Sequence, residues 1–269
     1  MSCEITLSSC AFTAKPSDEA ELIKYFEMAS AAGFDGFELA SVPVECAGIL
    51  RNAAKKTGVR VVAVHGILDD GSCSPDAAVR KNSAEKAAAY LAEFAEFAPC
   101  PIVEHYHNRF NDPVYGGYFR DTVEKLLSRT DDMNFIFCME NAPFKPEYDE
   151  RYPWMKEIAD FAASFGKEKM FMTFDLNHAN LHEDPVALAA EFAAIIRHIH
   201  VSDNHGIREE HMIPGTGVID LDSILKALYA NGYTGPCNLE LVFPRNTIAG
   251  ADDFRKIYEY MRSLSFNGK

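Results

Sequence analysis

The fold class this sequence predicts is α/β, a (β/α)8 TIM barrel, and three observations predict it. Short apolar runs alternate eight times with longer amphipathic segments, the pattern of parallel strands joined by crossover helices. The length of 269 residues is close to the roughly 250 of one such domain. Four successive strand-like runs, NFIFCMEN, MFMTFDLN, RHIHVSDN and CNLELVF, deliver Glu140, Asp175, His200 and Glu240 at their ends. In a (β/α)8 protein those ends form the C-terminal mouth, where the chemistry resides.

The elements follow in order. A first strand is expected over 3–10 and a helix over 17–32, opened by Pro16, Ser17 and Asp18 and closed by Gly33. The second pair spans 34–40 and 45–57, ending at Gly58, and the third spans 60–67 and 75–97. The fourth covers 100–106 and 115–130, and the fifth 134–140 and 152–165, before Gly166. In the sixth, a strand at 169–175 precedes a helix at 184–195 that Asp184-Pro185 opens. The seventh spans 197–202 and 221–231, closed by Gly232, and the eighth spans 236–242 and 251–264. The strands are near-continuous apolar runs, as a sheet covered by helices requires. No linker or change of composition divides residues 1–269, which read as a single barrel domain. An open doubly wound sheet would gather its ligand at one switch point, usually with a GxGxxG loop. The chain has no such loop.

Composition narrows the function classes. Hydrophobic residues make up 48% of the chain, enough for a sizeable core without disulfides. The seven cysteines are scattered with no CxxC pair, the usage of reduced thiols in a cytoplasmic protein. The N-terminus MSCEITLSSCAF lacks the basic and apolar regions of a signal peptide. No apolar stretch approaches the ~18 residues of a membrane span. A net charge of −14 repels polyanions, so neither nucleic acid nor an anionic membrane is expected as partner. The expected partner is a small molecule, and a homo-oligomer is compatible with the same reading.

Strand residues two apart share a face. Glu140 therefore stacks above Cys138 and Ile136, Asp175 above Thr173, His200 above His198, and Glu240 above Asn238. Any one of these alone is as readily an ordinary strand-end polar residue held by a loop amide. Together, three carboxylates and one imidazole make an oxygen-rich ligand set for one divalent ion, Mn, Mg, Co or Zn. Without a cation the three carboxylates repel one another. Further candidates lie on the same rim. His65 ends VVAVHG, His105 and His107 end IVEHYHN, His178 follows Asp175 in a D-x-x-H arrangement, and His211 lies in EEHMIPGTG. Glu38 ends GFDGFELA and is expected to border the mouth. His205 reads as a solvated loop residue, and His182 and His198 as structural or exposed. The glycines of Pro214-Gly215-Thr216-Gly217 precede a helix, but no lysine follows them, which favours a plain turn over a phosphate cradle.

With GFDGFEL, VVAVHG, CMENAP, TFDLNHAN, HIHVSDN, PGTGVID and NLELVF in this order and spacing, the chain resembles the xylose isomerase-like TIM-barrel superfamily over nearly its whole length. That group holds sugar phosphate isomerases and epimerases as well as AP endonucleases. The isomerase and epimerase branch implies one divalent metal on Glu140, Asp175, His200 and Glu240. Glu140 and Glu240 would double as an acid/base pair across the substrate, with a metal-stabilised enediolate between them. His65 and His178 would contact substrate, and His105, His211 and Glu38 are expected beside it. The endonuclease branch implies a three-zinc cluster, for which His65, His105, His178, Glu209 and His211 are counterparts. The mouth loops carry few basic residues (Arg109, Lys145, Arg151, Arg208, Arg245), which favours a sugar, ketose or cyclitol-type polyol over DNA. A dehydratase in the same barrel and a non-catalytic sugar- or metal-binding protein are the remaining alternatives. The latter has no need of both opposed glutamates.

Overall fold

The computed structural model describes residues 3–13, 15–40, 44–105, 113–143, 154–166, 168–242, 248 and 250–264. Within them, eight parallel strands close into a barrel in sequence order, β1 pairing with both β2 and β8. The strands are β1 (Ile5–Ser8), β2 (Phe37–Ala40), β3 (Val61–His65), β4 (Pro101–His105), β5 (Ile136–Glu140), β6 (Phe171–Asp175), β7 (Ile196–Val201) and β8 (Cys237–Leu239). Around them lie α1 (Glu19–Ala32), α2 (Ala47–Thr57), α3 (Ala77–Ala92), α4 (Pro113–Arg129), α5 (Met155–Ala163), α6 (Leu176–Ala179), α7 (Pro185–Phe192), α8 (Leu221–Ala230) and α9 (Ala251–Ser263). The (β/α)8 expectation therefore holds.

Local chemistry explains where these elements start and stop. Asp18 accepts from the Ala20 and Glu21 amides to open α1, and Asp184 does the same for Val186 and Ala187 ahead of Pro185. Gly33, with φ of +116°, ends α1 in the left-handed conformation that glycine adopts at little cost. One α-helix was not anticipated. The chain turns into α6 directly after β6 because the Asp175 carboxylate accepts from the His178 amide at 2.8 Å. The third helix also stops short of its expected end, at Ala92, with a separate 3-10 turn at Ala95–Phe97.

The alternation of side chains divides the strands into two environments. Ile5, Leu7, Phe37, Leu39, Val64, Ile102, Met139, Met172, Phe174, Ile199, Val201 and Leu239 pack outward with the helices into one continuous apolar layer. The inward residues are mostly polar or small, with Val103 an aliphatic exception: Thr6, Glu38, Ala63, Cys138, Thr173, His198 and Asn238 are all fully buried. Barrel lumens are more often filled by branched aliphatic side chains. Here the lumen carries hydrogen-bonding groups up to the mouth, including Thr6 Oγ1 donating to Asn238 Oδ1 at 3.0 Å.

Candidate metal centre

Glu140 and Asp175 are the last residues of β5 and β6, His200 lies next to the end of β7, and Glu240 follows β8 by one residue. Register sets their heights. Asp175 is level with His200, and the Glu240 amide donates to Val201 O at 3.1 Å, which fixes the end of β8 against β7. All four side chains are buried, and one ligand atom from each lies within 4.8 Å of the others. His200 Nδ1 is 3.1 Å from Glu140 Oε1, 3.4 Å from Glu240 Oε2 and 3.8 Å from Asp175 Oδ2. Asn141, which the sequence reading passed over, joins two of the strand ends. Its Oδ1 accepts from the Asp175 amide at 2.7 Å and its Nδ2 donates to Asp175 O at 2.9 Å. Its place directly after Glu140 was the available signal.

The rim histidines form two flanking sets. His65 and His105 meet at 2.9 Å between their Nε2 atoms, and both approach Glu140 Oε2, at 3.4 and 3.2 Å. On the other side His211 Nε2 is 2.7 Å from Glu209 Oε1, and His178 Nε2 is 3.9 Å from the same oxygen. Each set, His65–His105–Glu140 and His178–Glu209–His211, is close enough to hold an ion of its own. His211 has a φ of +50°, a left-handed conformation uncommon for a non-glycine residue, and this backbone aims its ring at the cage.

Glu38 lies lower than expected, because β2 continues two residues beyond it to Ala40. It is level with Ala63, whereas Ala40 is level with His65, so its carboxylate enters the cage from the layer below. There it meets His198 Nε2 at 3.0 Å and His200 Nε2 at 2.8 Å. His198 is thus a buried structural group, while His182 and His205 are exposed. The glycine loop is a turn organised from inside. Buried Asp203 accepts from the amides of Gly215 and Gly217, each at 2.9 Å, and of Ile219 at 3.1 Å. Those amides are therefore committed to a carboxylate and do not form a phosphate cradle. A Cβ at Gly217 would overlap Asn204 O and Asp203 Oδ1. His107, Arg109, Lys145, Arg151 and Arg245 lie outside the described residues; Arg208 is exposed.

The electrostatics of the cage favour a cation. Burial alone would lower His200 and His65, yet the surrounding carboxylates raise both well above the usual histidine range. Burial would likewise raise Glu140, but His200 and His105 hold it well below the usual carboxylate value. Asp175 carries the cost of crowding: burial, followed by the charges of Glu140 and Glu240, pushes it up to about 6 against the pull of His178. His178 itself is raised to about 10, because Asp175, Glu209 and Glu140 outweigh its burial. Asp175 Oδ2, Glu140 Oε2 and Glu240 Oε2 are buried without a hydrogen-bond partner, an expensive condition that a divalent ion would relieve. The donor set fits the ion the sequence implied.

The xylose isomerase-like TIM-barrel family model matches residues 26–264. The chain belongs to that family. Among curated relatives it is similar to the uncharacterized protein MJ1188 of Methanocaldococcus jannaschii, 25% identical over 226 residues that cover 81% of this chain and 79% of the relative. It is also 22% identical over 130 residues to fructoselysine 3-epimerase of Escherichia coli O157:H7, a match covering 48% of this chain and 46% of that enzyme. In fold it is similar to D-allulose 3-epimerase from Methylomonas sp., with a TM-score of 0.77 at 16% identity, covering 98% of this chain and 97% of the other. It is similar too to 3-keto-D-glucoside 4-epimerase from E. coli, with a TM-score of 0.75 at 20% identity, covering 97% and 99%. Among the described residues no helix is long and apolar enough to cross a membrane.

Proposed function

We propose that this protein is a divalent-metal-dependent isomerase or epimerase of a small sugar, ketose or cyclitol-type polyol. The observation that carries the reading is the buried cage of Glu140, Asp175, His200 and Glu240, in which three carboxylate oxygens have no hydrogen-bond partner. When bound, the ion supplies Lewis-acid stabilisation of the negative charge that develops on the substrate's carbonyl and neighbouring hydroxyl oxygens.

The chain's own residues do the rest. Glu140 and Glu240 stand at β5 and just past β8, three strand positions apart around the closed ring. A substrate lying between them meets a carboxylate on either side. One removes the proton next to the carbonyl, and the other returns a proton from the opposite face for epimerisation, or to the adjacent carbon for isomerisation. His178 holds Nδ1 on Asn141 O at 2.8 Å, and its buried Nε2 has no hydrogen-bond partner and is available to a substrate hydroxyl. His65, His105 and His211 complete a polar wall for the remaining hydroxyls. The 3-epimerase named among the relatives, and the sugar epimerases of similar fold, support this substrate class.

The test is hydrogen exchange. Metal-loaded protein incubated in D2O with a panel of ketoses and inososes should place deuterium on the carbon beside the carbonyl of at least one, and chelation should abolish it. No exchange with any member, from a protein that binds metal, would count against the proposal.

A second reading has its own observation. The two flanking sets, His65–His105–Glu140 and His178–Glu209–His211, surround the central cage as a three-metal phosphoesterase site would require. Metal-dependent incision of abasic-site DNA at catalytic concentrations would favour it. The net charge of −14 argues for the sugar.

A further inference from the structure

Glu38 is a fully buried carboxylate that the proposed chemistry does not use. It enters the cage from one layer below the ligands, level with Ala63 on β3. Its Oε2 is 2.8 Å from His200 Nε2 and 3.0 Å from His198 Nε2. A carboxylate oxygen has no proton to give, so both contacts require the proton on the histidine nitrogen. His200 therefore carries hydrogen on Nε2. Its other nitrogen, Nδ1, is the one that faces Glu140, Glu240 and Asp175 at 3.1, 3.4 and 3.8 Å. An ion in the four-ligand cage would take the place of any hydrogen on Nδ1, which faces the Glu140 carboxylate.

We propose that Glu38 is a positioning residue: it holds His200 in the Nε2–H tautomer and orientation that present the Nδ1 lone pair to the ion, and His198 braces it from behind. This rests on the reading that the four-ligand cage binds a divalent ion. Glu38, His65, His200 and Glu240 also lie close enough to form a ligand set, and an ion on that set would bind Glu38 directly instead of leaving it as the acceptor behind His200. A hydrogen-bonded carboxylate behind a ligating imidazole raises its basicity and fixes its ring, and removing such a partner commonly weakens metal affinity about 10–100-fold.

The test uses zinc, which is diamagnetic. In zinc-loaded, 15N-labelled wild-type protein, long-range 1H–15N correlations should show His200 protonated on Nε2 and ligated through Nδ1. Zinc Kd from chelator competition should rise roughly 10–100-fold in Glu38→Leu. Glu38→Gln keeps an acceptor oxygen at the same place and should preserve the tautomer, with a smaller loss of affinity. A role confined to filling space would leave the tautomer unaffected by either change. Wild-type His200 protonated on Nδ1, or a Glu38→Leu Kd within ~2-fold of wild type, would overturn the proposal. The wild-type tautomer needs no variant, so a Glu38→Leu chain that fails to fold leaves the test intact. A wild-type protein that binds no zinc at all overturns the cage itself, a result distinguishable from either of those.

Discussion

Acidifying the solution should weaken metal binding by an amount the cage itself sets. In the metal-free protein His200 is raised well above the usual histidine range by Glu240, Glu38 and Glu140, so it carries two protons at neutral pH. An ion entering on Nδ1 displaces one of them. One displaced proton makes Kd fall about tenfold per pH unit, ~1.4 kcal/mol. Between pH 6 and 8 the affinity should therefore rise by at least about 100-fold, ~2.7 kcal/mol, while His200 stays protonated in the metal-free protein. Asp175, pushed up to about 6, adds a second competing proton only as the pH drops below that value, so the slope should steepen there. Titration calorimetry in two buffers of different ionisation enthalpy gives Kd and proton count together. Release of at least about one proton per ion at pH 7, with at least the tenfold slope, is the expected result, His65 and His178 adding to it where the ion displaces their protons as well. A Kd that stays flat from pH 6 to 8, with no buffer-dependent heat, would refute the assignment of His200 as a ligand.

Three other outcomes are expected. Glu140→Gln and Glu240→Gln should each lose turnover of a verified substrate by at least about 10²-fold, the usual minimum for a positioned general base, while retaining some metal. A variant that still washes out substrate hydrogen without forming product identifies its partner as the abstracting base, and wild-type turnover by both would make His178 the leading candidate. The metal-free protein should melt at progressively lower temperature as the pH rises from 6.5 towards about 10, because His178 is raised from 6.5 to about 10 and its contribution is lost as it deprotonates. Scanning calorimetry in chelator would show this, and a Tm that rises across that range would contradict it. Gly217→Ala should cost about 1–3 kcal/mol, because the new Cβ overlaps Asn204 O and Asp203 Oδ1 and loosens the loop that Asp203 ties down. Thermal melts should show a drop of several degrees, and an unchanged Tm would mean that the loop has room the geometry denies it.

Much of this architecture was legible in the chain because each feature is local. Eight apolar runs punctuated by caps and glycines fix the strand and helix order, and a polar residue ending four successive strands can only face one mouth. What was not legible depends on height and on partners distant in sequence. Glu38 looked like a strand end, and only the β2–β3 register, with Ala40 level with His65, places it beneath the cage. The α6 turn depends on a single Asp175 oxygen reaching the His178 amide, which no periodicity reports. Asp203 gives no sign in sequence that its carboxylate gathers the amides of Gly215, Gly217 and Ile219, 12 to 16 residues away. The grouping of the rim histidines into two sets likewise depends on the closed ring, since His65 and His105 lie 40 residues apart.

The central claim is a single divalent ion held by four strand-end ligands, and anomalous diffraction from crystals of gently purified protein tests it most directly. One peak per chain is predicted, bounded by Glu140, Asp175, His200 and Glu240. Three peaks per chain, with two of them on His65–His105–Glu140 and His178–Glu209–His211, would contradict the mononuclear account in favour of the phosphoesterase-type cluster. Density lacking any peak among the four ligands would contradict the cage itself.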